Sequence, residues 1–417
     1  MNISHHDVKE GYLNHCQICN SKKLKKIINL GKQPLADSLL KKKISKKRVT
    51  QFPLGLVRCL ECGLTQLNYI VSGKIVYHKD YPYRPGITKS LKDYQNQLSS
   101  DLIKQYSLNK KSLVIDIGSN DGTLLSGFKK KCRILGIEPT NTAKIAKKNN
   151  INTIQDFTNE KLAKNIVNKF GKADLITATN VFAHMADLGK VIRSIKILLN
   201  NDGYFVLENH YLLDIIKDLQ FDSIYHEHIR TYSLKPIIKL FSYYNLKVVK
   251  AERGSRYGGN IRVHISNNPD ERVDKSIKNI LNLENKFGLY NNKVYKKFFN
   301  DVLKSKKRLI NFLKKIKSKE MSVVAKACPA RANTLLNFYG ITNKEIPYIA
   351  EQPTSLKLGY FLPCSNIPIV DSRILLKDKP DYVLILAWHL WQPIVKKWKK
   401  RGLKSKFIIP LPKFKIV

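Results

Sequence analysis

The sequence predicts an α/β protein built from three units, and three observations carry that prediction. Two CxxC pairs mark a small, loop-rich N-terminal unit; apolar strand segments alternate with helical ones from 112 to 250; and after long charged helices over 270–319 the alternation resumes. A chain of 417 residues is too long for one ordinary core. Units of 1–85, 86–250 and 251–417 are therefore expected, the last two each with a parallel sheet.

The N-terminal unit is read first from its cysteines. "CQIC" supplies Cys16 and Cys19, and "CLEC" supplies Cys59 and Cys62. Each pair places two sulfurs on one tight knuckle, and two knuckles complete a tetrahedron, so a structural zinc is expected. Gly63 follows the second pair, where a knuckle turns with positive φ. Cys132, Cys328 and Cys364 are isolated and read as structural. The stretch "MNISHHDVKEGY" has no apolar h-region, and no run approaches 18 apolar residues. A cytoplasmic chain with no membrane span is expected, which argues against a disulfide framework.

In the central unit, residues 86–107 read as a helix. "LVIDIGS" (113–119), "RILGIEP" (133–139), "INTIQD" (151–156), "ADLITATN" (173–180) and "YFVLENH" (204–210) read as strands, separated by helical segments. Beyond 320, "MSVVAKA", "IPYIAEQ", "DYVLILAWHL" (381–390) and "SKFIIPLP" read as strands, with helices over "ARANTLLNFY" and "QPIVKKWKKRG".

"VIDIGSNDG" (114–122) leaves the first strand of the central sheet and enters a helix. Asp116, Gly118, Asn120 and Gly122 form a nucleotide-binding type of turn, in which glycine lets a ligand approach the backbone. Glu138 ends the second strand, where an acid holds both ribose hydroxyls, and Asn180 ends the fourth beside the same crevice. The complete GxGxxG of a dinucleotide site is missing. A helix N-terminus reading pyrophosphate would not want the extra acids, so S-adenosylmethionine, which is cationic, is the expected cofactor.

The formal net charge is +43, from 75 Lys and Arg against 32 Asp and Glu. A nucleic-acid footprint should be clustered, but the lysines here lie along the whole chain and no nucleic-acid motif accompanies them. The densest runs, such as "KKKISKKR" (41–48) and "VKKWKK" (395–400), read as loops and outer helix faces. A basic surface would still attract an anionic substrate such as a nucleotide sugar.

"QFDSIYHEHIRTYS" (220–233) sets Tyr225, His226, Glu227 and His228 side by side. A metal site, an acid–base site and a polar loop are all open readings. HEH is not HExxH, since histidines at i and i+2 share no helical face, and no third ligand is evident.

With these motifs assembled, the chain resembles the nucleotide-sugar C-methyltransferases, the C-3 methyltransferases of deoxysugar biosynthesis. The similarity runs through "NLGKQPLADSLL", "LVRCLECGLTQL", "DYPYRPGITKS", "NVFAHMADL", "FDSIYHEHIRTYSL", "RYGGNIRVH", "ANTLLNFYGI" and "LGYFLPCSNIPI", in that order. The resemblance implies a zinc-binding N-terminal domain, a central Rossmann-like methyltransferase domain and a C-terminal Rossmann-like α/β domain. It implies a dTDP-linked 4-keto-deoxysugar as substrate. It implies Tyr225 and His228 as catalytic residues with Glu227 as the neighbouring acid, and Asn180 and His184 lining the pocket. Tyr81 and Tyr83 match tyrosines that close over the sugar. The segment "AKACPARA" (325–332) departs from the family's glycine-rich turn.

The chemistry agrees with these roles. A C-3 hydrogen beside a C-4 ketone is acidic enough for a positioned base, and the developing oxyanion wants a hydrogen-bond donor. His228 is the expected base, Tyr225 the alternative base or oxyanion partner, and His184 a group to hold the keto oxygen. Arg253, Arg256, Arg262 and Arg331 are candidates to meet a diphosphate, with Arg256 the one expected at the substrate. A monomer is expected. The competing readings are an O- or N-methyltransferase acting on another glycan precursor, and a basic non-enzymatic scaffold.

Overall fold

The computed structural model describes residues 3–8, 10–76, 86 and 89–417. Tyr81 and Tyr83 lie outside the described residues. Near the N-terminus are β1 (Gly11–Tyr12), β2 (Leu24–Gln33), β3 (Phe52–Cys59), β4 (Thr65–Leu67) and β5 (Tyr69–Ile70). The central region holds β6 (Leu113–Ile117), β7 (Arg133–Ile137), β8 (Thr153–Ile154), β9 (Ala173–Thr179) and β10 (Leu199–His210). These are followed by β11 (Arg230–Thr231), β12 (Lys247–Gly254) and β13 (Asn260–Ser266).

The central sheet has the order β12-β13-β10-β9-β6-β7-β8. β8, β7, β6, β9 and β10 pair in parallel. β6, "LVIDI", is buried at every residue because helices cover both faces, which is why it reads as an unbroken apolar run. The chain starts at β6 and winds outward in both directions, so a crevice opens at the carboxyl ends of β6 and β9. The sheet continues past residue 250 to Ser266, since β13 runs antiparallel between β10 and β12.

The N-terminal region contains more regular structure than its loop-rich reading implies. β2 and β3 are long antiparallel partners in a sheet of order β11-β4-β3-β2. Register shifts at Lys26/Ile28 and Asn29/Lys32 break the two-residue alternation of β2, and Pro53 and Gly55 interrupt β3. Those irregularities hide a strand from pattern reading. The fourth strand, β11, arrives from residues 230–231: Arg230 pairs with Gln66 and Thr231 with Thr65. The chain just after the Tyr-His-Glu-His stretch is thereby woven into the cysteine-bearing sheet.

Two helices, Lys275–Phe287 and Asn292–Lys317, lead into the last sheet. The second buries Tyr295, Phe298, Val302, Leu309, Leu313 and Ile316 along one stripe and leaves its lysines outside, save the half-buried Lys306. Then follow β14 (Val323–Lys326), β15 (Ile349–Glu351), β16 (Ile369–Asp371), β17 (Tyr382–Ile385), β18 (Lys406–Ile409) and β19 (Lys415–Ile416), ordered β16-β15-β14-β17-β18-β19. β17 is shorter than the strand expected over 381–390. The run stays apolar because Leu386, Ala387 and Trp388 remain buried after the strand has ended and turned into Trp388–Leu390. Burial, not strand pairing, accounts for that half of the pattern.

Candidate active site and metal centre

Cys16, Cys19, Cys59 and Cys62 converge, all four Sγ atoms lying within 4.8 Å of one another. The Sγ atoms of Cys16 and Cys62 are 3.4 Å apart, and those of Cys19 and Cys59 are 3.5 Å apart. A zinc tetrahedron with Zn–S bonds of about 2.3 Å has edges of about 3.8 Å, so this set fits the metal with a small expansion. The knuckles are braced from the backbone: the Ile18 N–H donates to Cys16 Sγ and the Gly63 N–H to the Cys59 carbonyl. Gly63 sits at φ +83°, and a Cβ there would lie 2.6 Å from the Tyr290 ring. Among the described residues this is the only group of three or more His, Cys, Asp or Glu side chains at metal-ligand spacing.

The glycine turn joins β6 to the helix Thr123–Phe128. Gly118 (φ +72°), Asn120 (φ 49°) and Gly122 (φ +77°) all take left-handed backbone. A side chain on Gly118 would strike Val181, 2.7 Å away, so glycine is needed there for space as well as for φ. Glu138, just past β7, accepts from the Asn120 N–H (3.0 Å), the Thr140 N–H (2.8 Å) and the Thr140 hydroxyl (2.6 Å). The acid therefore ties the two strand ends together at the mouth of the crevice. Asp116 lies lower, 3% exposed, and accepts from the Thr177 hydroxyl at 2.6 Å. Burial pushes its carboxyl up to about 7. It stands beneath the turn rather than at its lip. Asn180 (φ 56°) ends β9, with its N–H on the Glu208 carbonyl and its side-chain oxygen 3.3 Å from the Asn260 amide nitrogen.

The Tyr-His-Glu-His stretch follows the single turn Phe221–Ser223. Its two histidines diverge. His226 turns into the N-terminal sheet, its Nε2 3.3 Å from the Pro53 carbonyl and its ring edge-on to Phe52. His228 turns the other way, toward the central sheet. Its ring centre lies 4.0 Å from that of Tyr225 and 5.0 Å from those of both His184 and His210. His228 Nδ1 is 2.6 Å from the Ser223 carbonyl. A carbonyl can only accept, so Nδ1 carries the proton and Nε2 keeps its lone pair. Burial lowers His228 to about 4 and holds His184 and His210 well below the usual histidine range. Glu227 is buried. Asn180, His184, Asn209, His210, His228 and Arg230 line one small cavity.

Sequence reasoning overlooked Asn209 and His210. Both end β10, as Asn180 ends β9, and that strand-end position was the available signal. Asn209 is 1% exposed, and among the described residues neither its amide nitrogen nor its oxygen has a hydrogen-bond partner, so both remain open to a polar ligand. The turn holding Ser223 is itself anchored from the C-terminal region. Asp222 accepts from Arg331 Nη2 (2.6 Å) and from Trp388 Nε1 (2.8 Å).

Three of the four arginines considered for a diphosphate are already engaged. Arg253 pairs with Asp214, Arg262 with Glu208 and Glu252, and Arg331 with Asp222. Arg262 and Arg331 are largely buried in their pairs, Arg253 is exposed beside Asp214, and none of the three is a ready phosphate clamp. Arg256 differs: its guanidinium lies 4.2 Å from the Tyr94 ring centre and 4.6 Å from that of Tyr257, whose ring faces His210.

The buried histidines predict an acid-labile fold. Desolvation lowers His6, His226 and His228 to about 4 and His389 to about 3, with His184 and His210 also well down. Between about pH 6.5 and 4 the unfolded chain binds protons that the folded chain refuses, so stability falls as pH falls through that window. Each such group contributes about 1.4 kcal/mol per pH unit there. Buried carboxyls that are raised, Asp116 chief among them, pull the other way but are fewer. Denaturant midpoints should therefore drop steeply from pH 7 to pH 5; equal midpoints at the two would contradict the burial of these rings.

Residues 16–77 match the family model of a zinc binding domain, 91–251 that of a methyltransferase domain, and 255–412 that of the C-methyltransferase C-terminal domain. The chain is 27% identical over 411 residues, 97% of each chain, to the C-methyltransferase NovU of Streptomyces niveus. Among solved structures, the magnesium protoporphyrin IX methyltransferase of Synechocystis PCC 6803 with bound S-adenosylmethionine is 13% identical. It covers 42% of this chain and 78% of that one at a TM-score of 0.32. A methyltransferase from Aquifex aeolicus is 16% identical over 44% of this chain and 98% of that one, at a TM-score of 0.33.

Proposed function

We propose that this chain, which matches a zinc binding domain, a methyltransferase domain and a C-methyltransferase C-terminal domain in that order, is an S-adenosylmethionine-dependent C-methyltransferase with a structural zinc on its N-terminal cysteines, and that it methylates C-3 of a nucleotide-linked 4-keto-deoxysugar through an enolate. The observation that carries this reading is the Nδ1 bond of His228 to the Ser223 carbonyl. It leaves a neutral imidazole whose Nε2 is a base, in a cavity shared with further donors. S-adenosylmethionine, when bound, supplies an electrophilic sulfonium methyl that the enolate carbon takes. Asp116, Gly118, Asn120, Gly122, Glu138 and Asn180 are the residues assigned to hold it. Asp116 acts in this assignment by supporting the turn from below, since Thr177 and burial keep it there.

His228 Nε2 removes the C-3 proton, the C–H electron pair enters the C-3 to C-4 bond, and the C-4 oxygen takes up the charge. His184 and Tyr225, whose rings lie beside His228, are the groups assigned to steady that oxygen, and the lowered pKa of His184 means it does so as a neutral N–H donor. The Ser223 carbonyl orients His228, and Glu227 is the neighbouring acid. Arg256, with Tyr257 and His210 beside it, is the assigned contact for the sugar nucleotide.

The deciding experiment offers a panel of 4-keto nucleotide sugars with methyl-labelled cofactor and locates the label by NMR. A methyl on C-3 is expected, together with exchange of the C-3 hydrogen in D2O when S-adenosylhomocysteine replaces the cofactor. A methyl on oxygen or nitrogen would sink the proposal. The cofactor assignment has its own test. Glu138→Ala should weaken S-adenosylhomocysteine binding roughly 10–100-fold in calorimetry, because charged hydrogen bonds that shape the turn are lost. A Kd within twofold of wild type would retire Glu138 from that role.

A further inference from the structure

A cleft of about 390 Å³ opens where β2 and β3 meet the helix Asn292–Lys317. It shares no lining residue with the catalytic cavity. Its floor is apolar and partly aromatic, from Ile28, Tyr295 and Phe299, and Lys25, Lys26 and Lys296 stand exposed around it. Arg58 lines its base at 3% exposure.

Arg58 is the unusual member. Its Nη1 donates to the Tyr290 carbonyl (2.9 Å) and its Nη2 to Asn292 Oδ1 (2.7 Å), while Nε has no partner among the described residues. Both acceptors are neutral. Among the described residues no acidic side chain lines the cleft, whereas Arg262 and Arg331, also largely buried, each hold a carboxylate. Burying a guanidinium without an anion is costly. The three lysines deepen the positive potential over the same opening. Lys25 and Arg58 are cross-strand partners, so strand register, and not chance crowding, sets the two charges side by side.

We propose that this cleft binds an organic phosphate carrying a flat ring, with the phosphate among Lys25, Lys26 and Lys296 above the buried charge of Arg58, which lies over Tyr295, and the ring against Phe299. The charges answer a dianion, and the aromatic floor answers a planar apolar body. The volume is that of a small-metabolite site.

The test uses 1-naphthyl phosphate and the full-length, zinc-loaded protein saturated with S-adenosylhomocysteine, read by calorimetry. Salt-sensitive binding is expected, with neutral 1-naphthol far weaker. The double variant Lys25→Glu, Lys26→Glu should weaken binding by about tenfold or more, with unfolding temperature and turnover unchanged. Lys296→Glu, on the facing wall, should do the same, so a local folding defect in β2 cannot mimic the result. Absence of binding, or affinity that both variants leave intact, would overturn the proposal.

Discussion

Replacing His228 by asparagine should cut turnover by about 10²–10⁴-fold while leaving S-adenosylhomocysteine affinity within a few fold, the range expected for losing a positioned general base. Asparagine can still donate toward the Ser223 carbonyl, so the loop keeps its anchor and the loss falls on the proton transfer. Exchange of the C-3 hydrogen in D2O should vanish with turnover. If exchange persists at near wild-type rate, His228 is not the base and Tyr225 takes its place, which Tyr225→Phe would then expose. The pH profile carries a second signature. His228 must be neutral to accept a proton, and burial lowers it to about 4. Activity of the folded enzyme should therefore fall only as pH drops through about 4, not through 6.5, provided rates are read before the acid-labile fold opens.

Cys59→Ser should cost the zinc and, with it, both the N-terminal sheet and catalysis. Metal-binding energy at such a site is folding energy, apparent values being about 10–16 kcal/mol in small zinc domains. The loss would not stay local. The Leu67 N–H donates to the Ile229 carbonyl at 2.8 Å, the Thr65 hydroxyl donates to the Thr231 carbonyl at 2.6 Å, and His226 rests on Pro53. The cysteine sheet thus grips the chain on both sides of His228. Zinc content by atomic absorption, unfolding temperature and turnover should fall together, in the variant and after chelation of the wild type. A metal-free protein with full turnover and unchanged stability would refute the site.

Much of this molecule was legible from its residues. The cysteine knuckles, the glycine turn and the alternation of the central sheet are local signals: short spacings whose geometry follows from covalent structure and burial. Where legibility failed, the reason was each time non-local. β2 escaped notice because its bulges break the two-residue period. "DYVLILAWHL" looked like one long strand because its second half is buried without pairing. Arg253, Arg262 and Arg331 looked available because Asp214, Glu208 and Asp222, which hold them, lie 39, 54 and 109 residues away in the chain.

The sequence by itself determined the fold class, the four thiols that hold the metal and the shape of the turn at the cofactor crevice. Each depends on residues a few positions apart, or on a periodicity that any water-soluble core imposes. Only the tertiary structure decided where the two histidines of Tyr-His-Glu-His point. His226 and His228 are two residues apart, and nothing local tells them apart. The pairing of β11 with β4 draws one ring toward Pro53 in the cysteine sheet. The Ser223 carbonyl, on a turn anchored through Asp222 by Arg331 and Trp388, holds the other toward His184 and His210 with its Nε2 lone pair free of the proton.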